Sequence, residues 1–378
     1  MKKVFIISLV LLVVVLFFLG IYNFAFKKST PIVAQPATQE NPTDVKKITD
    51  QETPEKISVI SSQPVLGPLF DKKSGTISYY SAKDGTVWTV NADGSGEKQI
   101  VSKTLDGLKN VLWSPDHSKV LTTFEKNGQQ SFYQYDYNTN KGTQLKNGLD
   151  TVAWDNTGAK IFYKYYDSTT QKRSINIADP DGSGWQKIAD TEFKNVSISP
   201  VPSTSNVSFW NFPNADEETQ LTIVGAVGGE PNVILKGKFG ADYLWSPDGT
   251  QALVSSLASN DSKMTTLGLV TVNGQYHDLA IPTIVSKCVW SNDGKSIYYA
   301  LPGAIPDNAR MPNDYQDNKF MTDDTFWKID ITTGEKSRLI NASEINGKYD
   351  SSDLFLSATE SDLYFINRSD QKLYKIKL

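Results

Sequence analysis

The feature that most constrains this 378-residue chain is a phrase that returns at a near-constant interval. Trp113-Ser114-Pro115-Asp116 comes back as Trp245-Ser246-Pro247-Asp248-Gly249 and as Trp290-Ser291-Asn292-Asp293-Gly294. A looser copy stands at Trp154-Asp155-Asn156-Thr157-Gly158, and degenerate copies begin at Phe70, Ile198 and Leu356. The lead residues at 70, 113, 154, 198, 245, 290 and 356 are spaced by 43, 41, 44, 47, 45 and 66 residues, so one insertion accounts for the single irregular interval. A unit repeated at such a period cannot bury its apolar faces alone and must stack on its neighbours.

Each copy has the same layout. An apolar stretch runs into the lead residue, as in Asn110-Val111-Leu112-Trp113, and a turn rich in Pro, Asp and Gly follows. A second apolar segment begins seven residues after the lead at Ile77, Val120, Ile161, Ala252, Ile297 and Leu363, and nine after it at Val207. Alternating third segments such as Val87-Trp88-Thr89-Val90 and short fourth ones such as Gln99-Ile100-Val101 complete the unit. Period-two alternation between turn residues reads as strands. Four short strands at this interval predict an all-β body, a seven-bladed β-propeller of four-stranded blades. The tryptophans, fixed at one place in the repeat, are expected between blades rather than on a stacking surface. The last copy stops after three strands, and Ile57-Ser58-Val59-Ile60 reads as the displaced fourth that closes the ring without an open edge.

The Trp-Ser-Pro-Asp-Gly phrase, together with turns at Ala92–Gly96 and Asp179–Gly184, resembles the TolB-type, WD-repeat-like propeller family over about residues 57–378. The resemblance implies fold; its motif residues build the first hairpin of a blade and carry no activity. It also implies six blades and a separate α/β domain, whereas this sequence has seven copies and an apolar N-terminus, so no partner is carried over.

Ahead of the repeats, Val4 to Phe26 hold no charged residue across 23 positions, between Lys2-Lys3 and Lys27-Lys28. At about 1.5 Å per residue such a helix spans about 34 Å, enough for a hydrocarbon core of about 30 Å. The expected organisation is a short cytoplasmic tail (1–3), a transmembrane signal-anchor helix (4–26), a Pro/Thr-rich disordered linker (27–55) and the propeller (56–378). The lysines are equal on the two flanks and do not decide the orientation. With only three residues ahead of the apolar run, the propeller is expected on the extracytoplasmic side of the cell membrane.

Composition narrows the chemistry. Residues 1–30 carry four lysines and no acid, which leaves the remainder at a formal charge of −8 and argues against a nucleic-acid partner. One cysteine, Cys288, excludes an internal disulfide, and two histidines, His117 and His277, leave little for a histidine metal site. The run Asp179-Pro-Asp181-Gly-Ser183-Gly184 with Asp190 has the outline of a calcium loop, but Lys187 and the hairpin position of the matching run Asn91–Gly96 favour an ordinary turn. Ser81–Trp88 is one residue off a sialidase Asp-box, itself a structural turn. There is no Gly-x-Ser-x-Gly elbow. No catalytic residue, metal or cofactor is therefore expected from motifs. Asp106, Asp150, Asp242 and Asp350 stand just ahead of first strands, near the expected channel mouth.

The 66-residue interval places an insertion at Leu301–Thr325, with Pro302, Pro306 and Pro312. Its connection emerges on the face that carries the blade-to-blade loops, so Arg310, Asp314, Tyr315 and Asp317 are the candidate binding residues of a recognition face. The expected function is a membrane-anchored, non-catalytic binding or protein-interaction scaffold with a protein or envelope-glycan partner. The alternative is a propeller enzyme acting on glycans, hydrolase or lyase, through carboxylates on the channel face.

Overall fold

The computed structural model describes residues 55–378. The expected tail, the apolar span and nearly all of the linker lie outside the described residues. Among the described residues no helix is long and apolar enough to cross a membrane.

The strands pair antiparallel with their sequence neighbours into five four-stranded sheets and one of seven strands. The first runs from Val65–Asp71 to Lys98–Val101, the second from Leu108–Trp113 to Lys141–Gln144, and the third from Leu149–Trp154 to Gln186–Thr191. The seven-stranded sheet extends from Val196–Pro200 to Tyr276–Ile281, and a further sheet from Cys288–Trp290 to Lys336–Arg338. The last combines Ser351–Leu356, Asp362–Asn367 and Lys372–Lys377 with the early strand Ile57–Val59.

The seven-stranded sheet departs from the expected run of separate short strands. Its central strand, Asn232–Trp245, is 14 residues long and pairs with Glu218–Gly225 along its first part and Gln251–Leu257 along its second. Gly237 (φ 76°) and Gly240 (φ 56°) redirect the backbone without ending the pairing.

Alternation sends one side-chain set of each strand toward the preceding sheet and the other toward the next. Phe162 and Ile175 of the third sheet pack with Val207 and Phe209 of the following one, and Ile77 and Tyr79 of the first sheet pack with Tyr364 and Leu373 of the last. The succession of sheets thus returns on itself. Burying one such side chain contributes about 1.5–3 kcal/mol, and inter-sheet contacts of this kind replace a single central core.

The repeated phrase explains itself in this packing. Trp113 Nε1 donates to Gly67 O at 2.8 Å, Trp154 Nε1 to Leu112 O at 2.8 Å and Trp290 Nε1 to Leu244 O at 3.1 Å, each reaching back about one repeat to stitch two successive units. The following Ser and Asp close the turn. Hydrogen bonds from the Ser114 and Ser118 hydroxyls hold the Asp116 carboxyl at about 2, and Ser246–Asp248 and Ser291–Asp293 repeat the Ser-to-Asp bond at 2.5 and 2.7 Å.

The early strand seals the ring. Ile57, Ser58 and Val59 face Ile376, Lys375 and Tyr374, Ile60 N donates to Leu373 O at 2.7 Å, and Leu373 N donates to Ser61 Oγ at 2.9 Å. Ile57 and Ile60 are buried.

Candidate functional site

First strands do not pair with one another. Those of three sheets, Val65–Asp71, Leu108–Trp113 and Ser351–Leu356, line a cavity of about 810 Å³. Its polar lining near the strand starts is Lys109, Asn110, Asn318, Asp353, Arg368 and Gln371.

Bulges decide which side chains reach this space. Register shifts fall near the start of several first strands, between Leu66 and Leu69, Leu108 and Asn110, Leu149 and Thr151, and Ser352 and Phe355. A bulge leaves residues out of the ladder and re-aims them. The residues left out include Lys109, Asp150 and Asp353. Asp353 also lies at φ 51°, in the left-handed region that aspartate tolerates better than most residues. The residue is exposed, and the protein atoms around its carboxyl raise it above the ordinary range against the opposing Ser352 hydroxyl and the Arg368 charge.

Arg368 is fixed by its own contacts. Nη1 meets Asp350 Oδ2 at 3.1 Å, Nη2 donates to Tyr315 O at 3.0 Å and to the Asn318 side chain, and the guanidinium lies 3.8 Å from the centre of the Tyr315 ring. Behind it is a closed ionic cluster. Lys287 Nζ is surrounded by Asp324 Oδ2 at 2.6 Å, Asp350 Oδ1 at 2.7 Å, Ser351 O at 2.9 Å and Thr322 Oγ1 at 3.1 Å. Tyr315 donates its hydroxyl to Asp350 Oδ1 at 2.5 Å. Burial would raise Asp350, but Lys287, Tyr315 and Arg368 together outweigh it and pull the carboxyl below its ordinary range. Two cations, Lys287 and Arg368, balance two carboxylates, Asp324 and Asp350, which is how such charges survive burial.

The insertion supplies part of this cluster. Gly303 and Asp323 exchange two backbone hydrogen bonds at its base, 3.0 Å each, and the short helix Asn313–Gln316 lies within it. Of the four candidate binding residues, Tyr315 is buried against Lys287 and Asp350. Arg310 meets Asp216 at 2.7 Å and donates to Asn260 O at 3.1 Å, Asp314 pairs with Lys319 at 2.6 Å, and Asp317 lies 3.3 Å from the same lysine. Asp314 and Asp317 thus meet at Lys319, Arg310 reaches away to Asp216, and Tyr315 faces inward. Asn318, not singled out in the sequence, is the insertion residue that reaches the cavity.

The four acids expected near the channel mouth also part company. Asp350 belongs to the buried cluster. Asp150 pairs with the buried Lys164, with burial raising its carboxyl. Asp242 has no cation beside it; burial raises it to about 6 against hydrogen bonds from Tyr243 N and Trp210 Nε1, both 3.0 Å. Asp106 lines a separate cleft of about 520 Å³ with Tyr80, Tyr133 and Tyr135.

The remaining motif residues are structural. Asp179 pairs with Lys160 at 2.6 Å and Asp190 with Lys187 at 2.9 Å. Cys288 is buried, which pushes its thiol up. Among the described residues no group of three or more His, Cys, Asp or Glu side chains is placed to hold a metal ion.

No protein-family model and no curated protein matches the sequence. Among solved structures the chain is similar to an oligogalacturonate lyase in complex with manganese, with TM-score 0.60 and 12% identity over 86% of this chain and 92% of that one. It is similar to the oligogalacturonate lyase of Vibrio parahaemolyticus, with TM-score 0.61 and 11% identity over 87% and 95%. A third is the β-propeller domain of the Trilobed protease from Pyrococcus furiosus, described as having an open velcro topology, with TM-score 0.52 and 11% identity over 83% and 92%. These neighbours correct the expectation of a non-catalytic scaffold, because two nearly full-length counterparts of this architecture are lyases. At such identities the likeness establishes the fold alone: the chain is a β-propeller.

Proposed function

We propose that this propeller is a glycan-active lyase that cleaves acidic oligosaccharides of the oligogalacturonate kind in the cavity lined by Lys109, Asp353 and Arg368. The observation that carries the reading is the cavity lining, where one carboxylate, Asp353 at a first-strand bulge, shares the space with the cations Lys109 and Arg368. The lyase neighbours support it through their fold.

The chemistry asks for two things. A uronate holds its carboxylate beside the carbon whose proton must leave, and a cation near that carboxylate stabilises the charge that develops on it. Arg368 and Lys109 supply this positive field. A base then takes the proton, and a carboxylate raised above its ordinary range accepts it more readily. In this role Asp353 receives the proton, the electron pair forms a carbon–carbon double bond, and the bond to the neighbouring glycosidic oxygen breaks. That oxygen leaves with the bonding pair and is protonated by solvent. Incubation with oligogalacturonate should produce the ultraviolet absorbance of an unsaturated uronate. Asp353→Asn should lower the rate at least 100-fold; an unchanged rate would remove Asp353 from the reaction.

We infer further that the ring counts seven blades, with the seven-stranded sheet taken as two joined through Asn232–Trp245. The charge-free run Val4 to Phe26 supports membrane anchoring with the propeller outside, where envelope glycans would be its partners. Protease added to intact cells lacking an outer barrier should digest the propeller; full protection would place it on the other side.

A further inference from the structure

The cavity's charge bears on how it would hold such a substrate. Resting on the glycan reading above, we infer that this propeller engages uronate carboxylates through its own side-chain cations, with no divalent metal as a bridge.

One of the lyases that share the fold is in complex with manganese. A divalent ion of that kind needs several oxygen or imidazole donors converging on one point. Among the described residues no three His, Cys, Asp or Glu side chains are placed to supply them. Among the side chains that line the cavity, Asp353 is the only carboxylate, and there is no histidine. Asp350 is committed to Lys287 and Arg368. His117 lies in the turn after Leu108–Trp113, at the opposite end of that strand from Lys109. His277 lies on Tyr276–Ile281, the last strand in the order of its sheet.

What the cavity holds instead is positive charge. Lys72 and Lys109 line it, together with Arg368 whose charge is shared with Asp350 behind it, against the single Asp353. Arg368 is held by Asp350, Tyr315 and Asn318, so its guanidinium meets an incoming carboxylate already oriented. Lys109 is exposed at its bulge and free to close on the same anion. Lys72 follows the end of Val65–Asp71, a strand of seven residues, or about 20 Å from the start. A chain of uronates therefore meets a cation at each end of the cavity, which a single uronate does not.

The test is calorimetric titration of trigalacturonate into the full chain carrying Asp353→Asn, once in EDTA and once in manganese. Affinities within twofold of each other are expected. Lys109→Glu, at an exposed position, should leave the melting temperature unchanged and weaken binding at least tenfold in both buffers. Binding only in manganese, or at least tenfold tighter there, would overturn the inference while the glycan reading stands. Equal binding by Lys109→Glu would overturn it as well. Absence of binding in both buffers would overturn the glycan reading itself, and the inference with it.

Discussion

Lys287 Nζ lies 2.7 Å from Asp350 Oδ1, with the lysine side chain fully buried and the aspartate only 1% exposed. The contact joins the start of one sheet to the start of the next, and through Tyr315 and Thr322 it holds the insertion onto both. Lys287→Met should therefore cost about 3–5 kcal/mol by urea denaturation, because Asp324 and Asp350 would remain buried with half their positive charge removed. Adding Asp324→Asn and Asp350→Asn to the same chain should recover part of the loss. A cost below about 1 kcal/mol for the single change would show that water reaches the cluster freely.

The same cluster alters what can be expected of the insertion. Shortening Pro302–Asp323 to a Gly-Ser turn would remove Tyr315 and Thr322 from Asp350. Such a chain should melt at a clearly lower temperature than the intact one. Unchanged melting would mean that Lys287 alone satisfies Asp350.

Asp242 gives a pH dependence of defined sign. Its carboxyl is raised to about 6 by burial, so the folded state keeps its proton where the unfolded chain, near the ordinary value of about 3.9, has lost it. This group therefore leaves stability untouched below about pH 4 and reduces it progressively from about pH 4 to pH 6, after which the deficit stays constant. Asp242→Asn removes the titration and can still accept from Trp210 Nε1. Relative to the parent, the variant should gain on the order of 2 kcal/mol between pH 4 and pH 6.5. A pH-independent difference would mean that Asp242 titrates as it does in water.

Closure depends on the earliest described strand. Removing residues 1–55 should leave the melting temperature of the propeller unchanged. Extending the cut through Ser62 deletes the pairing of Ile57–Val59 with Lys372–Lys377 and the bonds from Ile60 N to Leu373 O and from Leu373 N to Ser61 Oγ. With two buried isoleucines lost as well, that second truncation should melt several degrees lower. Equal melting would show that the ring tolerates an open edge, as the open velcro neighbour's description allows for that protein.

The fold was legible because turn chemistry and alternation repeat. Trp113, Trp154 and Trp290 each mark the end of a first strand, and the tight Asp-Gly turns fix where the next begins. Ile57–Val59 could be placed because the last copy lacks a fourth strand. The cavity was not legible for the opposite reason. Asp353 reaches it through a bulge that no residue between Ser351 and Leu356 announces, and Arg368 belongs to a turn that looks like any other. One signal was available. Lys287 interrupts the apolar run from Ile284 to Trp290, and a lysine at a core position implies buried carboxylates, which proved to be Asp324 and Asp350. Tyr315 looked like a surface aromatic because its partners are 28 residues before it and 35 after it in sequence.

The most direct test of elimination at the Asp353 cavity is the mass spectrum of the products formed from a defined oligogalacturonate. The account predicts one fragment carrying a double bond, with the two fragment masses summing to that of the substrate, and loss of both in Asp353→Asn. Fragments that together exceed the substrate by one water would identify hydrolysis, and an intact substrate would contradict the glycan-active reading.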